Sequence, residues 1–263
     1  MPSDSRSTLV FLHSLGSSRH EWDGVSERLK ARFDTIALDL PGFGDRGDQD
    51  GEGIPTVLDD LCRRLVDLDL TRWVLVGHSM GGKFATLIAA RARDGAAGLS
   101  GLLGLVLVAG SPPSPEPMDE DRRADMLTWF DDPTKTSDTA RRFIEDNTAD
   151  GLPEAAGRQA VADFRRTSPE AWRGWLAEGS REDWSAQAGV LALPGLIIAG
   201  AEDADLGEAA QRRWNAPHFR AADVVVVPHA AHLIPQEQPD RLADLIGAFA
   251  TTVGAAALPP PAC

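Results

Sequence analysis

The chain has 263 residues, enough for one large domain or two small ones, and its 43% hydrophobic content can bury a sizeable core. A formal net charge of −14 argues against nucleic acid or anionic membrane as partners, because both repel an acidic surface. Two cysteines, Cys62 and Cys263, are too few for a disulfide framework, and no Cys/His spacing suits a metal site.

In chain order, the polar start leads into a short apolar run, Thr8–His13, read as a strand. Its apolar part is too short for a signal-peptide core, and no apolar segment could span a bilayer, so the expected location is cytoplasmic. A helix follows at Trp22–Ala31 and a strand at Thr35–Leu40, stopped by Pro41-Gly42. Val57, Leu61, Leu65 and Leu68 recur at helical steps over Thr56–Leu70. The apolar strand Trp73–Val76 enters a Gly-rich turn, Phe84–Arg93 reads as a helix and Leu102–Ala109 as a strand. From Met118 to about Trp184 the patterns are helical only. Strand and helix then alternate again through Leu196–Ala199, Glu208–Trp214, Val224–Val227 and Pro239–Phe249, before a proline-rich end.

Continuous apolar strands separated by amphipathic helices predict an α/β fold with a mostly parallel, doubly wound sheet and a site at the carboxyl ends of its strands. The expected organisation is a single domain over 1–263, with residues 111–185 inserted as a helical layer and 255–263 as a flexible tail.

The run Gly77-His78-Ser79-Met80-Gly81 lies between a buried strand and a helix, the setting of a nucleophile elbow. Small residues at 77 and 81 let the backbone turn tightly and hold Ser79 at a helix N-terminus, where the dipole favours negative charge. A serine hydroxyl needs a histidine base oriented by an acid, in the order Ser, Asp or Glu, His. His232, after the strand Val224–Val227, fits the base; His229 is its main rival, and His218 precedes that strand. His13, His78 and His20 read as structural or surface residues. Asp203, beyond Leu196–Ala199, fits the acid, with Asp205 and Glu202 as rivals; no carboxylate follows the preceding strand, where Ala109-Gly110-Ser111 stands. The backbone N–H groups of Met80 and Leu15 are the expected oxyanion donors.

Taken together, these stretches resemble the α/β-hydrolase superfamily over nearly the whole chain: Leu12-His13-Ser14-Leu15-Gly16 with Trp22, Asp39-Leu40-Pro41-Gly42-Phe43-Gly44, Gly77–Gly82, Gly200–Asp203, and Ala231-His232-Leu233 with Glu237 and Pro239. The resemblance implies that Met118–Trp184 is a helical cap over the pocket. Ser14 stands where the family usually has glycine, and its side chain could narrow the turn or offer a hydroxyl to substrate. Ser-Leu-Gly and Ala-His-Leu are similar to enol-lactone hydrolases. A serine at residue 79 departs from haloalkane dehalogenases and epoxide hydrolases, which carry aspartate there.

The cap holds Trp129, Phe130, Phe143, Phe164, Trp172, Trp175 and Trp184, which suit either an apolar pocket or the cap's own core. Trp129 and Phe130 are taken as substrate-binding candidates with Ser14, while Arg141, Arg142, Arg165 and Arg166 read as solvated faces. The expected function is hydrolysis of a small carboxylic ester or lactone through an acyl-enzyme, with no metal, no cofactor and a small-molecule substrate as partner. The same residues would serve a C–C bond hydrolase, a thioesterase or an amidase, and a non-catalytic binding protein is the alternative from another class.

Overall fold

The computed structural model describes residues 6–49, 51 and 53–257. It runs β1 (Thr8–Leu12), α1 (Asp23–Leu29), β2 (Asp34–Leu38), α2 (Ile54–Asp67), β3 (Trp73–His78), α3 (Met80–Arg93) and β4 (Leu102–Val108). Five helices follow without a strand: α4 (Glu120–Leu127), α5 (Thr136–Asp146), α6 (Glu154–Phe164), α7 (Pro169–Gly174) and α8 (Ser185–Ala188). The alternation resumes with β5 (Gly195–Gly200), α9 (Glu208–Ala210), β6 (Ala222–Val227), α10 (Ile234–Glu237) and α11 (Pro239–Ala256).

The six strands form one sheet in the order β2-β1-β3-β4-β5-β6, and each neighbouring pair is parallel. Alternate residues of each strand feed opposite faces, as the two-residue period of a strand requires. Val10, Leu12 and Leu75 pack with α2 and α3, whereas Leu9, Phe11 and Val74 pack with α1 and α11. Because β2 lies on one side of β1 and β3 on the other, the connections from β1 and β2 diverge and leave a crevice beyond the carboxyl ends of β1 and β3. Among the described residues no helix is long and apolar enough to cross a membrane.

Helix α3 starts four residues before the expected Phe84, directly after Ser79. Gly81 and Gly82 look like turn residues by propensity, yet both lie within the helix, and they are glycine because neighbouring backbone leaves no room for a side chain. A Cβ on Gly81 would lie 2.6 Å from the Leu12 carbonyl oxygen, and one on Gly82 would lie 2.7 Å from Gly110 Cα. At the other end of the chain α11 passes the expected stop at Phe249 and continues to Ala256. The proline-rich end, 258–263, lies outside the described residues.

The helices between β4 and β5 sit on the carboxyl-end loops. Both ends of the insertion meet at its base, where Trp184 N–H donates to Pro113 O at 2.8 Å and Glu116 N–H to Ser180 O at 2.7 Å. On the far side, Ser168 N–H donates to Gly42 O at 2.8 Å. The aromatic rings form the insertion's own core: Trp129 stacks on Trp172, and Phe130 on Phe164. That core rests on the turn after β1, where Gly16, at φ +73°, would place a Cβ 3.1 Å from both Phe164 and Trp172.

Lys83 ties the insertion to α3. Amphipathic reasoning puts a lysine on the solvent side of a helix, but Lys83 is fully buried. Its Nζ donates to Gly179 O at 2.9 Å, Glu182 O at 2.8 Å and Ser114 O at 3.4 Å. Burial pulls its pKa down to about 8, against the opposing charges of Glu116, Glu182 and Asp183. The unfolded chain therefore binds one more proton than the folded chain between about pH 8 and the ordinary lysine pKa near 10.4, so this group's contribution to stability rises with pH there. Lys83→Met should lose that rising component when urea midpoints are followed across this range. It should also lower the midpoint at pH 7, because it leaves buried carbonyls without a donor, at ~1–3 kcal/mol each.

Candidate active site

Ser79 occupies the first turn beyond β3 with φ +49° and ψ −121°, a conformation that costs a non-glycine residue roughly 1–3 kcal/mol. Three backbone hydrogen bonds hold it there: Ser79 N–H to Val108 O at 3.0 Å, and Gly82 and Ser111 N–H to Ser79 O at 2.8 and 2.9 Å. The tight approach also explains Gly77, where a Cβ would lie 2.4 Å from the Gly81 carbonyl oxygen. Met80 opens α3, so its N–H has no acceptor within the helix.

His232 and Asp203 come together from the loops after β6 and β5. His232 Nδ1 and Asp203 Oδ2 are 2.8 Å apart, with the two side chains 13% and 3% exposed. Asp203 Oδ1 accepts the backbone N–H groups of Asp205 at 3.0 Å and Leu206 at 2.9 Å, which fixes the carboxylate. Burial works to raise Asp203, but the charge and hydrogen bond of His232 and the two amides outweigh it and hold Asp203 below the usual carboxylate range. For His232 burial pulls downward, and the charge and hydrogen bond of Asp203, with Glu116 and Glu21 behind, raise it above its ordinary value.

The rivals have other partners, although Asp205 lines the same cleft. His229 is exposed and in the left-handed region at φ +54°, with its carbonyl oxygen accepting from Gln238. His218 bonds the Gly189 carbonyl. Asp205 pairs with Arg122, and Glu202 accepts the Ala230 amide at 3.0 Å. Glu237 accepts the Ala231 and Ala149 amides, so two carboxylates outside the His232–Asp203 pair brace the histidine loop.

A buried chain of polar groups joins the histidine loop to the turn after β1. Glu21 Oε2 accepts the Ser14 hydroxyl at 2.5 Å and the Ser14 N–H at 3.2 Å. Its Oε1 faces His78 Nδ1 at 2.7 Å, and His78 Nε2 donates to the His232 carbonyl at 2.8 Å. Burial alone would raise Glu21; the charge of His78 and the hydrogen bonds from His78 and Ser14 outweigh it and keep Glu21 low. His13 secures the same turn, bonding Ser14 O through Nδ1 at 2.7 Å and accepting Leu40 N–H at Nε2.

Ser79, Asp203, His232, Ser14 and Leu15 line one cleft, closed from above by Met118, Met126, Phe143 and Trp175 of the insertion. Trp129 and Phe130 are not in its lining. They pack in the insertion's aromatic core, with Trp129 Nε1 bonded to Asp125, so the small helical layer uses them for its own packing. The Ser14 side chain turns to Glu21 instead of offering a free hydroxyl to the cleft. Arg141, Arg142 and Arg166 pair with surface carboxylates.

Sequence reasoning missed three charged residues of the cleft and its support. Glu21 lacks any motif of its own, and Arg122 reads as an ordinary helix-surface residue. Glu116 falls too far beyond β4 to count as a strand-end carboxylate. The proline-rich stretch after Ser111 folds back, however, so that the Ser111 hydroxyl donates to Glu116 Oε2 at 2.5 Å and Glu116 lines the cleft. Burial pushes Glu116 up, against the hydrogen bond from Ser111 and the charges of His232, Lys83 and Arg123. Among the described residues no group of three or more His, Cys, Asp or Glu side chains is arranged to hold a metal ion.

Known proteins share this architecture. The chain is 36% identical over 104 residues, 40% of its length, to 2-succinyl-6-hydroxy-2,4-cyclohexadiene-1-carboxylate synthase of Escherichia coli O17:K52:H18, covering 38% of that protein. It is 27% identical over 273 aligned residues, 94% of its length, to the biotin biosynthesis bifunctional protein BioHC of Teredinibacter turnerae, covering 45% of that protein. The chain thus spans less than half the length of both relatives. A thermophilic esterase from Thermogutta terrifontis superposes with a TM-score of 0.70 at 24% identity, over 94% of this chain and 90% of the esterase, a likeness of fold. The alpha/beta hydrolase family profile matches residues 9–245, nearly the whole of the sheet and the insertion together, and the chain belongs to that family.

Proposed function

We propose that the chain is a serine hydrolase that cleaves a small carboxylic ester or lactone through an acyl-enzyme. The observation that carries this reading is the hydrogen bond between His232 and a buried Asp203, in a cleft that also holds Ser79 on a strained turn. In the proposed reaction His232 Nε2 takes the proton of the Ser79 hydroxyl as its oxygen attacks the substrate carbonyl carbon. The C=O bond opens to an oxyanion beside the N–H groups of Leu15 and Met80. His232 then gives the proton to the leaving oxygen as the ester C–O bond breaks. Water, deprotonated by His232, attacks the acyl carbon, and as the bond from that carbon to Ser79 Oγ breaks His232 returns the proton to Oγ, which releases the acid and restores the serine. Asp203 keeps the imidazole oriented and favours its charged form. The lactone half of the reading rests on the Ser-Leu-Gly and Ala-His-Leu stretches.

A second reading, a synthase like the E. coli relative, is favoured by the 36% identity over part of the chain. It requires the cleft to hold a carboxylate compound.

A fluorophosphonate should label the wild type at one site, and Ser79→Ala should abolish labelling and reduce ester turnover by about 10⁴-fold or more; undiminished labelling of the variant would move the nucleophile elsewhere. The base must be neutral to accept a proton, so kcat/KM should fall as pH drops through a His232 pKa that lies above the ordinary histidine value. Asp203→Asn should move that acid limb to lower pH, because burial then acts on His232 without its main counter-charge, and should cut kcat by roughly 10³–10⁴-fold. Glu21→Gln should also move the limb downward and lower kcat by about tenfold, ~1.4 kcal/mol in the barrier, with less change in KM. A parallel rise in KM alone would assign Glu21 to substrate binding instead.

A further inference from the structure

The cleft carries two acids that the proposed reaction does not use, Asp205 and Glu116. Asp203 is engaged by His232 and Asp205 by Arg122, the guanidinium in the lining, which also reaches Asn147 Oδ1 at 3.4 Å. Glu116 is the acid left over. Its carboxyl hangs from a neutral partner, the Ser111 hydroxyl, and its backbone is fixed to Ser180 O. The charged groups around it are His232, Lys83 on α3 and Arg123 on α4. Lys83 is held by three carbonyl oxygens, and Arg123 by Leu176 O and the Ser180 hydroxyl, so both cations are committed to the insertion's base.

Resting on the hydrolase reading, we propose that Glu116 selects substrate by charge, so that the site takes uncharged esters and lactones and discriminates against carboxylate-bearing ones. A carboxylate entering the cleft meets a second carboxylate under a cap that limits screening by water, and like charges at such range weaken binding. Arg122 would be the natural counter-ion for an anionic substrate, but Asp205 already occupies it. Glu116 touches neither Ser79 nor Asp203 in this scheme. It acts on the substrate.

Two matched pairs of esters test this. p-Nitrophenyl valerate and mono-p-nitrophenyl glutarate differ in charge on the acyl side. p-Nitrophenyl acetate and 3-carboxy-4-nitrophenyl acetate differ on the leaving side. The measured quantity is the neutral-to-anionic ratio of kcat/KM, from about pH 5.5 to 8, where the substrate carboxylates are ionised. The ratio cancels the His232 limb, which both members share. In the wild type it should exceed one and grow with pH, since an acid raised by burial ionises late. In Glu116→Gln it should fall by about tenfold in at least one pair and become independent of pH. Glu116→Asp keeps the charge without the full reach to Ser111 and should retain most of the discrimination, which separates charge from packing. An unchanged ratio in Glu116→Gln for both pairs overturns the proposal, as does a wild type that prefers the anionic esters, which would hand selection to Arg122. If the wild type cleaves none of the four esters, the hydrolase reading falls and the role of Glu116 with it.

Discussion

A carboxylate buried without partners would lose several kcal/mol to desolvation, so Glu21 obliges its neighbours to bring hydrogen-bond donors to it. Those donors come from two different parts of the chain. Ser14 belongs to the turn after β1, and His78 is the last residue of β3, directly before Ser79. Through its other nitrogen His78 holds the carbonyl of His232, so one buried group sets three loops relative to one another. A candidate nucleophile, base and oxyanion turn that stand on separate loops need such a cross-brace, because each loop alone could drift by more than the geometry of a proton transfer tolerates.

The sheet supplies the coarse placement and the polar chain the fine one. Parallel pairing of β1 with β3 sets Leu12 beside Gly77, so the two turns that follow emerge side by side. The strained backbone at Ser79 is then held by hydrogen bonds from β4 and its following turn, on a strand that is itself buried on both faces. Strain of this kind persists only where the surroundings over-determine it. Here the glycines at 77, 81 and 82 let those surroundings approach closely enough.

Much of this was legible in the residues because it follows local rules. Apolar runs gave strands, and three- and four-residue steps gave helices. The Gly-x-Ser-x-Gly spacing gave a sharp turn, and the order of Ser79, Asp203 and His232 along alternating elements gave their meeting at one sheet edge. What escaped depends on long-range packing. Glu21 meets His78 across 57 residues of sequence, and nothing in its own surroundings marks it as buried. Lys83 sits in a helix where pattern alone would place it in solvent. Trp129 and Phe130 illustrate the converse: large rings near a pocket in sequence, they are consumed by the core of the layer that carries them.

The base of the insertion has a different consequence. Pro113 and Trp184 are within hydrogen-bond distance of each other, as are Glu116 and Ser180, so the helical layer leaves and re-enters the sheet through a single narrow neck. Closing a loop between ends that already meet costs little more for a long insert than for a short one, since the entropic penalty grows only with the logarithm of length. The layer is in that sense a detachable cassette. Its helices can be lengthened, shortened or exchanged by recombination while the register of the six strands stays as it is. The limits are the neck, the seat at Gly16, the Ser168–Gly42 bond, the carbonyls that hold Lys83 and the Asn147 carbonyl that meets the histidine loop, all of which any replacement would have to fit.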